Sequence, residues 1–231
     1  MDNRYHKLPQ FIQYVIDWNK VFLNPDMTLD ERIDLQKKVT VEEINETLAA
    51  LMIEDPKEII DGIGDILVTA GYLRYLYAGE SVDFLNSSLF NYDIKYENYY
   101  QYVDVIHFPL IDLKNHILHE TTSFSYDTLN YLACYAICDF GRDNVENYFN
   151  AILLSNDTKF VPVEQWVEFN DEYMEAAQEK YEGKYKDLVW WESDFRGEPV
   201  FLIRADHGRG KILKPPSFKE PSDLLFSPKL F

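Results

Sequence analysis

The chain has 231 residues, 46% of them apolar, which is enough to bury a sizeable core and excludes an intrinsically disordered polymer. A formal net charge of -18 repels nucleic-acid phosphates and argues against a duplex-binding protein. The sequence holds no apolar run of about 18 residues, the length that spans a bilayer, and its first residues lack the basic-then-apolar order of a signal peptide. These features predict a cytoplasmic protein that has no membrane partner.

The first two predicted helices follow from apolar spacing and from a capping pattern. Residues 9–23 repeat apolar side chains at three- and four-residue steps, the spacing of one helix face. Thr28 and Glu31 form a capping-box pattern, which predicts that a second helix begins there and runs over about 29–53. Thr40-Val41 interrupts the strong helix formers of this segment, so we expect a bend at that point.

A third helix is predicted over about 56–77, with Pro56 in its first turn, where a missing backbone N–H is best tolerated. Gly62, Gly64 and Gly71 lie in its interior, where each glycine costs up to about 1 kcal/mol relative to alanine. Their presence predicts the close approach of another helix or of a ligand.

Helical patterns also dominate the rest of the chain, which we interpret as one all-α domain spanning residues 1–231. Residues 81–145 are expected to form a helical insertion, with helices near 97–119 and 126–140. Two further helices are predicted over 142–155 and 163–182. The C-terminal extension, about 183–231, is expected to be extended and proline-rich, with little strand beyond a short one near 199–203.

Five carboxylates on the second and third helices form the principal candidate site. Glu43 and Glu46 are three residues apart, so their side chains share one helix face. Glu58, Asp61 and Asp65 recur at three and four residues on a stripe that is separate from the apolar face of the third helix. Antiparallel packing of the two helices would bring these carboxylates together, an arrangement that is costly without a cation.

Such acidic stripes have two interpretations. A single acidic stripe on a helix is most often a solvated face. Two stripes on consecutive helices, each opposite an apolar stripe and joined by a short turn at Glu54-Asp55-Pro56, favour a metal site instead. Mg²⁺ prefers hard oxygen ligands and usually keeps several waters, which leaves coordination positions for substrate phosphates. Two facing acidic pairs of this kind can therefore hold a metal and still bind a triphosphate.

Several segments together resemble one family, the MazG-like nucleoside triphosphate pyrophosphohydrolases, particularly the bacteriophage versions. The segments similar to its EExxE and ExxDxxxD patterns are Val41–Glu46 and Glu58–Thr69. Those similar to its aromatic-Asn-x-x-Phe, SNxSK and GKxLKxP patterns are Trp18–Phe22, Ser155–Lys159 and Gly210–Pro216. The chain departs from the commoner bacterial form at Gly62, where that form has a glutamate whose role would pass here to Asp61 or Glu58.

The resemblance implies a four-helix-bundle core that is completed by subunit pairing into a homodimer or tetramer. It also implies hydrolysis of a (deoxy)nucleoside triphosphate to the monophosphate and pyrophosphate, dependent on Mg²⁺ or Mn²⁺, in control of the nucleotide pool. A phage-encoded enzyme of this kind would act in the host cytoplasm. The implied metal ligands are Glu43, Glu46, Glu58, Asp61 and Asp65.

Catalytic and substrate-binding roles are implied for residues from both ends of the chain. Glu43 is the candidate to accept the proton of the attacking water, and Lys159 and Lys214 are the candidates for phosphate contacts, because an ammonium is a compact charge against a polyphosphate. The catalytic set is Glu43, Glu46, Lys159 and Lys214, and the substrate-binding set is Trp18, Asn19, Asn156, Lys159, Lys211 and Lys214.

Two other functions are compatible with the sequence. A non-enzymatic acidic protein could mimic DNA and occupy a basic partner's nucleic-acid site. Such a mimic needs acids spread over one surface, whereas a hydrolase needs them convergent and close to basic residues. A nucleotide-sensing, inactive relative is the second alternative, and Gly62 is the feature that favours it.

Overall fold

A computed structural model describes residues 8–81, 106–119 and 126–225, and this part of the chain is mostly helical. The helices are α1 (Leu8–Val21), α2 (Leu29–Met52), α3 (Pro56–Tyr77), α4 (His107–Leu118), α5 (Tyr126–Phe140), α6 (Arg142–Asp157) and α7 (Val163–Tyr181). The strands are β1 (Val161–Pro162), β2 (Val189–Phe195) and β3 (Glu198–Arg204), and two short 3₁₀ turns span Asp206–Gly208 and Pro221–Leu224. No helix of the described ranges is long and apolar enough to cross a membrane.

The three N-terminal helices lie where the sequence predicts them, and their caps are present. The Thr28 side chain accepts from the Glu31 N–H while the Glu31 side chain accepts from the Thr28 N–H, which completes the predicted capping box of α2. Asp55 caps α3 through the N–H groups of Lys57 and Glu58. Helix α2 continues without interruption through Thr40, whose hydroxyl donates to the Gln36 carbonyl one turn earlier.

The glycines of α3 do allow close helix packing, as their positions predict. A methyl group at Gly62 would collide with the Thr47 side chain of α2, and one at Gly64 would collide with Ile152 of α6. The main core lies around the buried face of α3 and includes side chains from α1 and α6 as well as from α4 and α5. Its fully buried members include Phe11, Ile12, Ile60, Ile63, Leu67, Tyr148 and Phe149.

The remaining helix predictions are confirmed where the structure describes them. Helix α5 matches the prediction for 126–140, α6 extends the prediction for 142–155 by two residues, and α7 ends one residue before the predicted position. For the prediction over 97–119, α4 covers the later part, and residues 97–105 lie outside the described ranges. Part of the 81–145 insertion and residues 226–231 of the C-terminal extension also lie outside the described ranges.

Strand β3 confirms the short strand expected near 199–203, but the expectation of little other strand in the C-terminal extension is wrong, because β2 precedes it. Strands β2 and β3 form an antiparallel hairpin that pairs Val189 with Arg204 and Phe195 with Glu198, and β1 pairs with the other edge of β3. The hairpin turn is Arg196-Gly197, with φ of 59° and 84°, the two positive values that a tight two-residue hairpin turn requires. The extension is therefore a folded layer rather than an extended tail as far as Arg204.

A small aromatic cluster joins this layer to the helices. Phe160 stacks on Phe22 at the end of α1, with ring centroids 4.5 Å apart, and on Phe195 of β2, at 4.3 Å. A second apolar cluster lies between α7 and the sheet and includes the buried Trp166, Phe201 and Leu213. Because Leu213 is 2% exposed, the chain after the hairpin is held against the fold instead of lying free.

Candidate functional site

A cavity of about 650 Å³ opens between the helical hairpin α2–α3 and the C-terminal layer. Its walls come from the end of α1, one face each of α2 and α3, α6, the end of α7 and the segment after β3. Every site residue predicted from the sequence lines this cavity: Trp18, Asn19, Glu43, Glu46, Glu58, Asp61, Asp65, Asn156, Lys159, Lys211 and Lys214. The fold thus brings together residues that are up to 196 positions apart in the chain, from Trp18 to Lys214.

The pairing of α2 with α3 determines which carboxylates face one another. Thr47 packs against Gly62, and the Gln36 side-chain amide donates to the Thr69 carbonyl at 2.9 Å. These two contacts fix an antiparallel register in which Glu43 lies opposite Asp65. Glu43 is 12% exposed at its side chain, whereas Glu46 and Glu58 are exposed at the cavity mouth.

Asp65 is the electrostatic centre of the site. Burial, followed by the negative charge of Asp61, raises the pKa of Asp65 from 3.8 to about 7, and Lys159 opposes the shift. Burial also raises the pKa of Glu43 from 4.5 to about 7, with the Asp65 charge as the next cause. The two helices therefore hold carboxylates that repel one another in a partly dehydrated space.

Asp61 has a hydrogen-bond partner that the sequence did not indicate. The Tyr148 hydroxyl of α6 donates to Asp61 Oδ1 at 3.3 Å. Burial, followed by the charge of Glu58, still raises the pKa of Asp61 from 3.8 to about 6. Tyr148 therefore positions this carboxylate without neutralising it.

Lysines supply the opposing charge. Lys211 Nζ lies 3.1 Å from Glu42 Oε2 and 3.4 Å from Glu43 Oε1, so this ammonium bridges two carboxylates of α2. Lys159 Nζ donates to Asn156 Oδ1 at 2.6 Å and lies 5.4 Å from the centroid of the Trp18 ring. Burial lowers the pKa of Lys159 from 10.5 to about 8, which shows how strongly this part of the cavity penalises an uncompensated charge.

Lys214 is held at the cavity wall through its backbone. The Tyr181 hydroxyl donates to the Lys214 carbonyl at 3.2 Å and accepts from the Lys214 N–H at 3.0 Å. Its ammonium pairs with Glu220 at 3.0 Å and lies 4.4 Å from the centre of the Phe218 ring. The side chain is thus loosely paired at the surface while its backbone is fixed.

The carboxylate oxygens of the cavity are suitable ligands for a hard divalent cation. Carboxylates on two facing helices are the ligands that Mg²⁺ takes, and their mutual repulsion would be relieved by a cation between them. Within the described ranges, no three His, Cys, Asp or Glu side chains are yet gathered closely enough to form a ready coordination sphere. Lys211 occupies the space next to Glu43 in this conformation, so metal binding would require that ammonium to move.

Among the side chains that line the cavity and were not predicted from the sequence are Glu42, Tyr148 and Arg204. Glu42 is adjacent to Glu43 in the EExxE-like segment, so its position was available as a signal. Neither Tyr148 nor Arg204 carries a local signal, because the first reaches Asp61 across 87 residues and the second contacts the Phe22 carbonyl across 182 residues.

The end of the cavity away from the carboxylates is mostly apolar and aromatic, and the guanidinium of Arg32 lies there beside Tyr72. This end is formed by Phe22, Leu23 and Met27 after α1, by Leu35 and Val39 of α2 and by Tyr72 of α3. The cavity therefore has an ionic end, suited to phosphates and a metal, and an aromatic end, suited to a planar ring. Comparisons of this chain with protein-family models, with curated proteins and with solved structures found no match.

Proposed function

We propose that the protein is a Mg²⁺-dependent nucleoside triphosphate pyrophosphohydrolase that releases a nucleoside monophosphate and pyrophosphate. The observation that carries the proposal is the cavity itself, in which carboxylates of α2 and α3 and the lysines Lys159, Lys211 and Lys214 line one end. The aromatic end suits the base of a nucleotide as the ionic end suits its phosphates.

The residues that would hold Mg²⁺, or Mn²⁺ in its place, are the five carboxylates Glu43, Glu46, Glu58, Asp61 and Asp65. The metal would supply neutralisation of phosphate oxygens and a lowered pKa for a water molecule. Glu46 and Glu58 lie exposed at the mouth and can rotate toward the cavity. Glu43 and Asp65 already lie inside, opposite each other.

The lysines would act on the substrate. A triphosphate entering the ionic end offers Lys211 a stronger anionic partner than the two glutamates it now bridges. Transfer of this ammonium from Glu43 to a phosphate oxygen would free the carboxylate at the moment the substrate binds. Lys159, held by Asn156 beside Trp18, would stabilise the charge that develops on the phosphates during cleavage.

Glu43 is the residue we assign to accept the proton of the attacking water. It is nearly buried, it carries a raised pKa near neutrality, and the departure of Lys211 would leave it without an ammonium partner. A base with a pKa near the working pH is the most effective acceptor in such a step. During this step Glu43 would leave the metal to the other four carboxylates.

The proposal includes the four-helix-bundle core and a homodimer or tetramer. Apolar side chains of α4 support an oligomer, because Phe108, Ile111 and Leu118 are 60%, 41% and 53% exposed. Light scattering on a sizing column would measure the mass of the assembly, and a monomer would contradict this part of the proposal.

The placement of the acids favours a hydrolase over a non-enzymatic DNA mimic. A mimic needs acids dispersed on an exposed surface, whereas Glu43, Asp61 and Asp65 converge on one cavity together with lysines. A nucleotide sensor would use the same cavity but would not turn over its ligand. Turnover is therefore the observation that separates the hydrolase from both alternatives.

The test is hydrolysis of the common ribo- and deoxyribonucleoside triphosphates with Mg²⁺, with Mn²⁺ and with excess chelator. We expect turnover with either metal and none with chelator. Glu46→Gln should remove most of the activity, while the matched control Glu54→Gln, in the exposed α2–α3 turn outside the cavity, should keep it. Turnover that persists in chelator would overturn the metal dependence.

A further inference from the structure

Arg204 is a buried cation that has no role in the proposed hydrolysis. It ends β3, lines the cavity and is 6% exposed. Its Nε donates to the Gly210 carbonyl at 3.1 Å and its Nη1 donates to the Phe22 carbonyl at 2.7 Å. Among the described residues no carboxylate pairs with it, so the fold buries a guanidinium without neutralising it. Burying an unpaired charge is costly, and such groups commonly serve a ligand.

The two backbone contacts fix the guanidinium plane. They come from separate segments, the end of α1 and the loop after β3, so the group is held from two sides. Trp191 lies on the neighbouring strand β2, and its ring centroid is 5.4 Å from the central carbon of the guanidinium. A guanidinium has five N–H donors, and these contacts leave the donors of Nη2 for a molecule in the cavity. Arg204 is thus a pre-oriented donor that has no acceptor yet.

The position of Arg204 separates it from the phosphate-binding end. Its Nη1 contacts the Phe22 carbonyl, the titratable group beside it is the Tyr72 hydroxyl, and among the described residues no carboxylate around Asp65 forms a hydrogen bond or ion pair with it. Tyr72 lies seven residues beyond Asp65 on α3, which is about 10 Å along a helix. A nucleotide whose phosphates lie at the ionic end would therefore extend its base toward Arg204, between Phe22 and Tyr72.

We propose that Arg204 selects the nucleobase, by donating hydrogen bonds to a carbonyl oxygen of a keto base. Guanine, uracil and thymine present a carbonyl acceptor where adenine and cytosine present an amino donor. A guanidinium can only donate, so an amino group facing it would leave donors unpaired on both sides. The base class then follows as guanine, uracil or thymine. This inference rests on the proposed nucleotide site and adds its specificity.

The test compares bases that differ in this one group. For wild type and Arg204→Met, kcat/KM is measured for dGTP against dATP and for dUTP against dCTP. Wild type should favour the keto member of at least one pair by roughly tenfold or more, the discrimination expected of a paired donor set. Arg204→Met should bring that ratio close to one, and Arg204→Lys should give an intermediate ratio. A ratio is used because partial loss of folded protein lowers both rates equally.

Binding measurements keep the test independent of hydrolysis. Quenching of tryptophan fluorescence by the four nucleoside monophosphates, without metal, should show the same keto preference in wild type and its loss in Arg204→Met. The affinity for tripolyphosphate, measured by calorimetry, should be equal in the two proteins. If no triphosphate is hydrolysed but the monophosphates bind with this preference, the hydrolase fails and the assignment of Arg204 stands.

Three results would overturn the assignment. The first is a wild-type preference for the amino base, or no monophosphate binding at all. The second is an unchanged keto preference in Arg204→Met, which would make the residue a structural tie between α1 and the loop. The third is a parallel loss of tripolyphosphate and nucleotide binding, which would place Arg204 on the phosphates.

Discussion

Removing the charge of Asp65 should stabilise the metal-free protein. Its carboxylate accepts no hydrogen bond from the described residues, and it faces Glu43 and Asp61 at the centre of the cavity. Asp65→Asn keeps the shape of the side chain while removing the charge that repels both Glu43 and Asp61. Neutralising a carboxylate that stabilises the fold would lower the free energy of unfolding instead. The sign of the change therefore distinguishes a strained carboxylate from a stabilising one.

The magnitude follows from the raised pKa. An increase from 3.8 to about 7 disfavours the charged form by on the order of 4 kcal/mol, at about 1.4 kcal/mol for each tenfold change in the proton equilibrium. Glu43 and Asp61 share part of this repulsion, and Lys159 loses a partner in the variant, so we expect a net gain of roughly 2–4 kcal/mol at pH values above about 7.

The pH dependence has a definite sign. Because the folded-state pKa of Asp65 lies above the unfolded value, the folded protein binds more protons between pH 3.8 and about 7. The free energy of unfolding of the metal-free wild type should therefore fall as pH rises through this window. Asp65→Asn should flatten the fall, and at about pH 4, where the carboxyl is protonated in the native state, the variant and wild type should converge.

Urea unfolding of the metal-free proteins at about pH 5 and about pH 8 measures these differences. Asp139→Asn, on an exposed part of α5 outside the cavity, is the matched control and should change stability little. A loss of stability in Asp65→Asn at about pH 8, or a wild-type stability that does not depend on pH across the window, would refute the electrostatic account of the site.

Three further predictions concern single residues. Glu46→Gln should lower the Mg²⁺ affinity measured by calorimetry by roughly tenfold or more while leaving the circular dichroism unchanged, and an unchanged affinity would remove Glu46 from the ligand set. Lys214→Met should raise KM for triphosphates at least several-fold and leave Mg²⁺ binding unchanged. Tyr181 holds the Lys214 backbone, so the substitution removes only the ammonium that would contact the phosphates. A wild-type kcat/KM in the variant would remove Lys214 from the site. Gly62→Ala should cost about 1–3 kcal/mol of stability by overpacking, because its methyl would collide with Thr47, and Thr47→Ala in the same chain should restore part of the loss.

The helical part of the fold could be predicted because its signals are local. The capping pair Thr28 and Glu31 fixes the start of α2, and Asp55-Pro56 fixes the start of α3. The apolar spacing of the first helix likewise needs no knowledge of its partners. The carboxylate positions follow from the same periodicity, since Glu43 and Asp65 lie on polar stripes beside apolar ones.

The hairpin was not predicted, although its second strand was, because the signals of its first strand and of its turn are weak in the sequence. Strand β2, Val189–Phe195, contains two adjacent tryptophans, so its alternate burial is not visible as alternating hydrophobic and polar letters. The turn Arg196-Gly197 has the required positive φ at both residues, but it lacks the Asn-Gly pair by which such turns are usually recognised in a sequence. Position in the fold, rather than composition, makes this segment a strand.

The tertiary parts of the site lay beyond sequence reasoning. The contact of Tyr148 with Asp61 and the anchoring of Arg204 by the Phe22 carbonyl join elements that are 87 and 182 residues apart. The bridge from Lys211 to Glu42 and Glu43 spans a similar separation. These contacts depend on how the C-terminal layer packs on α2 and α3, which local propensity does not specify.

The central claim is cleavage of a nucleoside triphosphate between its α- and β-phosphates, and phosphorus NMR during turnover tests it most directly. The protein is mixed with Mg²⁺ and the most rapidly hydrolysed triphosphate, and the signals of the first products are recorded. The account predicts that monophosphate and pyrophosphate appear together in equal amounts, and that chelator stops both. Diphosphate and orthophosphate as the first products, or no turnover of any triphosphate, would contradict it.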